Sequence, residues 1–197
     1  MFSKYTRKKG FTMMELLVSI FILVVLTAIV VANLNRGSKK DDLRRSATEV
    51  VSLLRKAQNL ALVGSQQALP DLPEGSKSSG AFGIHFDLNN PSQYLLFLDF
   101  QNSGGEYVPD GQYQSGEELP NSTYYLTAGV TIASLAPIGE NDILDITFAP
   151  PKAYTYFNGF LIETSQANIT LTQNITQDNQ YIKINRISGQ ISIENEL

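Results

Sequence analysis

The sequence predicts an α+β protein in which a long N-terminal membrane helix continues into an amphipathic helix packed on a head of antiparallel β-sheet. Three patterns support this prediction. Residues 16–35 form an uncharged, largely apolar run of 20 residues. Apolar residues then recur with a helical period up to about residue 63. Beyond residue 80 the apolar period changes to two, which is typical of half-buried strands.

The uncharged run is long enough to cross a membrane, since a helix of 20 residues at about 1.5 Å per residue spans roughly 30 Å. It is preceded by four cations, Lys4, Arg7, Lys8 and Lys9. The positive-inside rule therefore places residues 1–10 in the cytoplasm and predicts a single-pass anchor with an extracytoplasmic head. The alternative is a secretory signal peptide cleaved near Ala32. Against it, the run exceeds the usual span of about 7–15 residues and Glu15 stands at its start.

Glu15 is the one charged residue between positions 11 and 32. A carboxylate at the edge of a membrane helix costs about 2–3 kcal/mol at depth unless it has a partner. The nearest upstream cation, Lys9, is held toward the cytoplasm. Cleavage between Gly10 and Phe11 would create an α-amino group four residues before Glu15, so these three residues are the candidate functional positions.

The next segment, 36–64, is predicted to be an amphipathic helix. Its apolar residues fall on one face at spacings of three and four: Leu43, Ala47, Val50, Leu54, Ala57 and Ala61. This stripe needs a partner, for which a sheet is expected. Cations lie mostly on the other face, which we interpret as solvated, although those between 36 and 40 stand at the level of lipid phosphates. Gly64 predicts the end of the helix, and Gly37 leaves open a hinge near 35–38.

The head, 65–197, is predicted to begin with a polar loop and to continue as short strands. The predicted strands are 82–86, 94–100, 123–133, 143–148, 160–164, 168–172, 181–187 and 190–194. The last two form a hairpin around Ser188 and Gly189. In the first strand His85 alternates with apolar residues, so we expect it on the face away from the core, in a surface or structural role.

Composition excludes several kinds of site. The chain has no cysteine and one histidine, which excludes disulfides, thiol nucleophiles and multi-histidine metal sites. We therefore predict no enzyme and no cofactor. Residues 70–197 carry 4 basic and 15 acidic residues, which we interpret as a solvated acidic surface. The acid-rich loop 99–118 raises calcium as an alternative, although its spacing does not fit an EF-hand.

Residues 8–18, Lys-Lys-Gly-Phe-Thr-Met-Met-Glu-Leu-Leu-Val, resemble the class III signal of type IV prepilins and type II secretion pseudopilins. That signal is a basic leader ending in Gly, then Phe-Thr-x-x-Glu-Leu and an apolar helix. The resemblance implies that a prepilin peptidase cleaves after Gly10 and methylates the amine of Phe11. It also implies that Glu15 counters the N-terminal amine of a neighbouring subunit during assembly. The absence of proline before Pro70 favours a pseudopilin or minor subunit.

A second resemblance, of residues 44–61 and the hairpin 182–193, is to the H-class pseudopilins (GspH) and the minor pilins FimT and FimU. Together the resemblances imply a structural subunit of the bacterial inner membrane, and then of a type IV pilus or type II secretion pseudopilus. The implied partners are other pilin or pseudopilin subunits, the prepilin peptidase and the inner-membrane assembly platform. The predicted organisation is a leader (1–10), a transmembrane and assembly helix (11–35), an amphipathic helix (36–64) and a head (65–197).

Two alternative functions remain open. The first is a DNA-binding minor pilin for competence, which the acidic head disfavours because phosphate contacts need cations. The second is an uncleaved, membrane-anchored extracytoplasmic binding protein.

Overall fold

A computed structural model describes residues 10–63, 81–99, 102–103, 106–107, 110–150, 152–159 and 164–195. The chain divides into two compact units, Met1–Ser38 and Lys39–Leu197. Its elements are α1 (Met13–Val63), β1 (Ala81–Asp87), β2 (Gln93–Asp99), β3 (Asn102–Ser103), β4 (Glu106–Tyr107), β5 (Glu118–Tyr125), β6 (Val130–Ala136), a 3-10 turn (Glu140–Asp142), β7 (Ile143–Ala149), β8 (Tyr154–Phe157), β9 (Gln166–Gln173), β10 (Asn179–Asn185) and β11 (Ile191–Asn195).

The long helix α1 contains both helical segments of the sequence analysis. Residues 35–38 belong to it, so Gly37 does not interrupt the helical backbone. A glycine inside a helix costs about 1 kcal/mol relative to alanine. A helix of 51 residues can contain one such glycine without breaking. The predicted end at Gly64 lies outside the described residues. The boundaries predicted at residues 10, 35 and 64 remain predictions.

The strands form two antiparallel sheets and a small hairpin. The first sheet has five strands in the order β5-β2-β1-β7-β8, and the second has four in the order β11-β10-β9-β6. Among the described residues, β3 pairs with β4. The α+β architecture of a long helix followed by antiparallel sheets is therefore confirmed, with the head built from two sheets.

One hydrophobic core joins the second unit's part of α1 to both sheets. The predicted stripe is buried in full and consists of Leu43, Ala47, Val50, Leu54, Ala57 and Ala61. The five-stranded sheet contributes alternate residues such as Ile84, and the four-stranded sheet contributes residues such as Ile182. Because side chains alternate along a strand, the five-stranded sheet has a second face turned away from this core.

One of the strand predictions needs correction, and one strand was not predicted. The predicted strand 123–133 is two strands, β5 and β6, which belong to different sheets. A turn separates them, in which the N–H of Val130 donates to the carbonyl of Thr127 and Gly129 adopts φ +86°. That positive φ favours glycine, which has no Cβ. β8 was not predicted, and of the predicted strand 160–164 only residue 164 is described, outside any strand.

Candidate functional site

The backbone changes conformation just after the predicted cleavage position. Gly10 and Phe11 precede the helix, and α1 begins at Met13. Thr12 caps it: its Oγ1 accepts the N–H of Glu15 at 3.2 Å, and its carbonyl accepts the N–H of Leu16 at 3.1 Å. This is the N-cap geometry for which threonine is suited, because it satisfies an amide that has no partner within the helix.

Glu15 lies in the first turn of α1, with its side chain exposed. A carboxylate is favoured there by the partial positive charge of a helix N-terminus. Ser19, one turn later, donates its hydroxyl to the carbonyl of Glu15 at 2.7 Å. Within the described part of the chain, no cation forms an ion pair with Glu15.

The apolar part of the first unit is uncovered in the single chain. Its large apolar side chains between Met13 and Val31 are 42–91% exposed. Thr27 donates its hydroxyl to the carbonyl of Leu23 at 2.7 Å, so this polar group is satisfied within the helix. A helix with apolar side chains on every side is stable only where lipid or other protein surrounds it.

A segment that ends at the first residue of β5 covers the second face of the five-stranded sheet, and we name this segment, residues 110–118, the cover loop. The fully buried carboxylate of Asp99 holds it, accepting the N–H groups of Gly111 at 2.8 Å and Asp110 at 3.2 Å. The carbonyl of Gly111 accepts the hydroxyl of Thr147 at 3.1 Å. Burial raises the pKa of Asp99 to about 7, because it outweighs the two amide hydrogen bonds that favour the charged form.

The same face carries a second buried carboxylate, Asp145 on β7. Its Oδ1 lies 2.7 Å from Nδ1 of His85, and its Oδ2 accepts the N–H of Tyr113 at 3.0 Å. The ring of Tyr113 packs on His85, with ring centroids 4.5 Å apart. His85 therefore lies on the predicted face, in a structural position whose side chain is 15% exposed.

The other acids of the cover loop also accept hydrogen bonds from the protein. Glu117, which is buried, accepts the N–H of Gln114 at 2.8 Å. Glu118 accepts the N–H of Gly116 at 2.8 Å and the hydroxyl of Tyr113. The hydrogen bond from Tyr113 holds the pKa of Glu118 below its usual value. The prediction of a solvated acidic surface is therefore wrong for Asp99, Glu117 and Asp145, which are buried. The carboxylates of Asp99 and Asp145 bind the loop to the sheet.

The N-terminal segment of the chain is similar to a known family of sequences. The family model described as the prokaryotic N-terminal methylation motif matches residues 5–31, which include Gly10, Phe11 and Glu15. The chain is also similar to the type II secretion system core protein G of Pectobacterium carotovorum subsp. carotovorum. The two are 28% identical over 137 residues, which cover 58% of this chain and 85% of the relative. Both findings support the prepilin and pseudopilin family for this chain.

No solved structure matches this pseudopilin-like chain at a significant level. The relative is named a core protein G. The resemblance to the H-class pseudopilins and to FimT and FimU therefore remains a prediction about the subgroup. The relative is named as a component of a secretion system, and the expectation that this chain is not an enzyme remains a prediction.

By length and composition, the pilin-like helix α1 can cross a membrane. Its most apolar window of 18 residues has a mean hydropathy of 2.8, and none of that window is buried. With the family, this indicates membrane anchoring. The roles of Gly10, Phe11 and Glu15 remain predictions, whereas the burial of acids in the head was not predicted from the sequence. The Asp110-Gly111 pair was a signal for Asp99, since Asp-Gly marks a turn that can bring two successive amides toward one carboxylate.

Proposed function

We propose that this chain is a minor pilin or pseudopilin subunit that is cleaved after Gly10, methylated on the amine of Phe11 and assembled through α1. The observation that carries the proposal is the coincidence of three features in residues 10–31. A scissile glycine lies outside the helix, a lone carboxylate stands in the first turn, and the apolar helix behind it is uncovered. The N-terminal methylation motif spans the same residues.

Charge pairing supplies a physical reason for assembly. After cleavage, the new amine of Phe11 and the carboxylate of Glu15 would both lie at the start of a membrane helix. Each isolated charge at depth costs about 2.5–3.5 kcal/mol on insertion scales, although less near the interface. Pairing the amine of one subunit with Glu15 of its neighbour offsets part of both costs, so the assembled state is stabilised relative to separate subunits whose charges are unpaired in the membrane.

The proposed topology follows from the cations that precede the helix. Residues 1–10 would stay in the cytoplasm, where the prepilin peptidase cleaves, and the head would lie outside the inner membrane. From there the inner-membrane assembly platform would add the subunit to a filament, either a type IV pilus or a type II secretion pseudopilus.

Intact-mass measurement of the chain from cells that contain the peptidase tests this function. We expect loss of residues 1–10 and the added mass of one methyl group on Phe11. Gly10→Ala should block or slow cleavage. Gly37→Ala is the matched control, because a Cβ meets nothing within 4 Å at either position. Retention of residues 1–10 in the unmodified chain would refute the proposal and favour an uncleaved anchored protein.

A further inference from the structure

The direction of β10 relative to α1 follows from one contact near each end of the strand. Before β10 begins, Oδ1 of Asp178 lies 3.7 Å from Nζ of Lys40. After β10 ends, the carbonyl of Gly189 accepts the side-chain amide of Gln58 at 3.1 Å. Along a helix of 1.5 Å per residue, Lys40 and Gln58 are about 27 Å apart. β10 therefore runs in the same direction as α1, and the turn that precedes it lies on the N-terminal side, beside Lys40.

The turn between β9 and β10, residues 174–177, is uncharged and carries an apolar side chain. That side chain, Ile175, is 72% exposed. The acid that follows the turn, Asp178, is paired with Lys40. A single exposed apolar residue is ordinary on a protein surface, so it is the position of Ile175 that gives it a meaning.

Hydrogen bonds hold the β9–β10 turn in one conformation with Ile175 exposed. The side chain of Gln173, which is fully buried, accepts the N–H of Ile175 on Oε1 at 2.9 Å. The N–H of Asn174 donates to the carbonyl of Gly129 at 2.8 Å, and the side chain of Gln177 donates to the carbonyl of Asn174 at 2.7 Å. Because the turn is already ordered, little conformational entropy is lost when Ile175 enters a new environment.

The position of Lys40 in the sequence places this end of the head near a membrane surface. The uncharged run ends at Asn35. Beyond the hydrocarbon core of a bilayer lies a headgroup layer of roughly 5–8 Å. Lys40 follows Asn35 by about 7.5 Å of helix, which corresponds to the outer part of that layer. Asp178 therefore lies at the level of the headgroups, and the β9–β10 turn, on the N-terminal side of Asp178 along α1, reaches into them.

We propose that the β9–β10 turn docks on the surface of the membrane that anchors α1, with Ile175 inserted among the lipid headgroups. The uncharged turn, its apolar tip and the neighbouring cation select lipid as the occupant. Lys40, whose side chain is 59% exposed, stands at the level of the phosphates. Segments that lie in the interface bind lipid by this combination of buried apolar area and cations.

The tether supplied by α1 makes such a small contact effective. Because the head and its anchor are one chain, docking is intramolecular and occurs at a high effective concentration of membrane surface. The contact would hold the head of an unassembled subunit at one orientation to the membrane, and it would break when the subunit enters a filament. This inference rests on the proposed function, because it requires α1 to span the membrane.

Quenching of tryptophan fluorescence by lipid tests the contact, because the natural sequence has no tryptophan. Ile175→Trp changes the tip of the β9–β10 turn. The full-length chain is reconstituted in vesicles of phosphatidylethanolamine and phosphatidylglycerol whose acyl chains are brominated near the headgroups. We expect at least a twofold loss of fluorescence relative to vesicles without bromine, together with a shift of the emission to shorter wavelength.

Ile187→Trp is the matched control. Ile187 is 84% exposed in the turn between β10 and β11, at the other end of the strand from Ile175. Its fluorescence should be unchanged by brominated lipid, and its emission should stay at the wavelength of tryptophan in water. Both substitutions are at exposed side chains, so both variants should unfold at the same temperature as the unmodified chain.

Cysteine accessibility gives a second readout, because tryptophan itself favours membrane interfaces. Ile175→Cys and Ile187→Cys each give the chain one thiol, since the natural sequence has no cysteine. In the same vesicles, a water-soluble maleimide should label Ile175→Cys at least fivefold more slowly than Ile187→Cys. In denaturing detergent the two rates should be equal.

The outcomes separate this inference from the proposed function. Equal quenching of Ile175→Trp and Ile187→Trp, or equal labelling of the two cysteine variants in vesicles, overturns the docking. Protection of Ile175→Cys in isolated filaments but not in vesicles also overturns it and assigns the turn to a contact with another subunit. Cleavage after Gly10 is scored separately in cells, and its failure counts against the proposed function.

Discussion

The ring of Phe97 lies directly on Gly83 of the neighbouring strand. The two residues are paired across β1 and β2, and a Cβ at position 83 would overlap the ring atoms of Phe97. Tyr113 of the cover loop packs edge-on against the same ring, with centroids 5.5 Å apart. The absence of a side chain at Gly83 thus leaves space for the ring of Phe97 on the sheet, where the ring contacts Tyr113 of the cover loop.

Gly83→Ala should therefore destabilise the head. We expect a loss of about 1–3 kcal/mol in the free energy of unfolding, because overpacking forces the buried ring of Phe97 to move. Urea denaturation of the detergent-solubilised chain measures it. Gly37→Ala is the control, because its new methyl group meets no atom within 4 Å and alanine favours a helix. Equal stability of the two variants would contradict the packing argument.

Asp99 should make stability depend on pH. Its pKa is about 7 in the folded chain against an ordinary value near 4, so the folded state binds a proton that the unfolded state has released. Its contribution to stability is greatest at low pH and is lost as pH rises from about 4 to about 7. Thermal unfolding across this range should show less decline in Asp99→Asn than in the unmodified chain.

The titration of Asp99 is tested by the difference in slope between the two profiles of stability against pH. Asparagine keeps one acceptor for the amides of Asp110 and Gly111, so Asp99→Asn also loses one hydrogen bond at every pH. That loss shifts the profile without changing its slope. Parallel profiles between pH 4 and 7 would show that Asp99 does not titrate there.

The apolar stripe of α1 should dominate the stability of the head. Leu54 is fully buried, and Leu54→Ala is expected to lower the free energy of unfolding by about 2–5 kcal/mol through lost burial and a cavity. Leu62→Ala makes the same change eight residues later, at a side chain that is 51% exposed, and should change stability by about 0.5 kcal/mol or less. Urea denaturation of both variants checks the contrast.

Glu15 should matter for assembly and not for membrane insertion. Glu15→Val removes the one charge from the apolar segment, so insertion should be unimpaired. Filament incorporation should fall by about tenfold or more, because a lost pairing worth 1.4 kcal/mol is already a factor of ten. Membrane fractionation and filament shearing measure the two quantities. Ser19→Ala, one turn along α1, is the control, and normal incorporation of Glu15→Val would contradict the pairing argument.

The sequence predicted those parts of the fold that repeat with a regular period. The stripe that contains Leu54 and the strand that contains His85 are both governed by local periodicity, which one segment of sequence reveals. The candidate residues Gly10, Phe11 and Glu15 were predicted because an apolar run makes a single charge conspicuous, and their roles remain predictions.

The missed features depend on contacts distant in sequence. The division of 123–133 into two strands of different sheets follows from pairing partners that no local pattern specifies, although Gly129 marks the turn. Asp99 and Asp145 are buried because they accept amides of the cover loop. These amides are 11 residues away in sequence for Asp99 and 32 for Asp145. A carboxylate that will bind a loop has the same local sequence signal as one that will face water.

The Thr12 cap also has a consequence for proteolysis. Peptidases bind their substrates as extended chain, and a bond inside a helix must unwind before it can be cut. By fixing the first helical residue at Met13, the cap keeps the Gly10–Phe11 bond in non-helical backbone while the following residues stay wound. A peptidase at the membrane surface would then meet an accessible bond without having to extract any of the helix from the lipid.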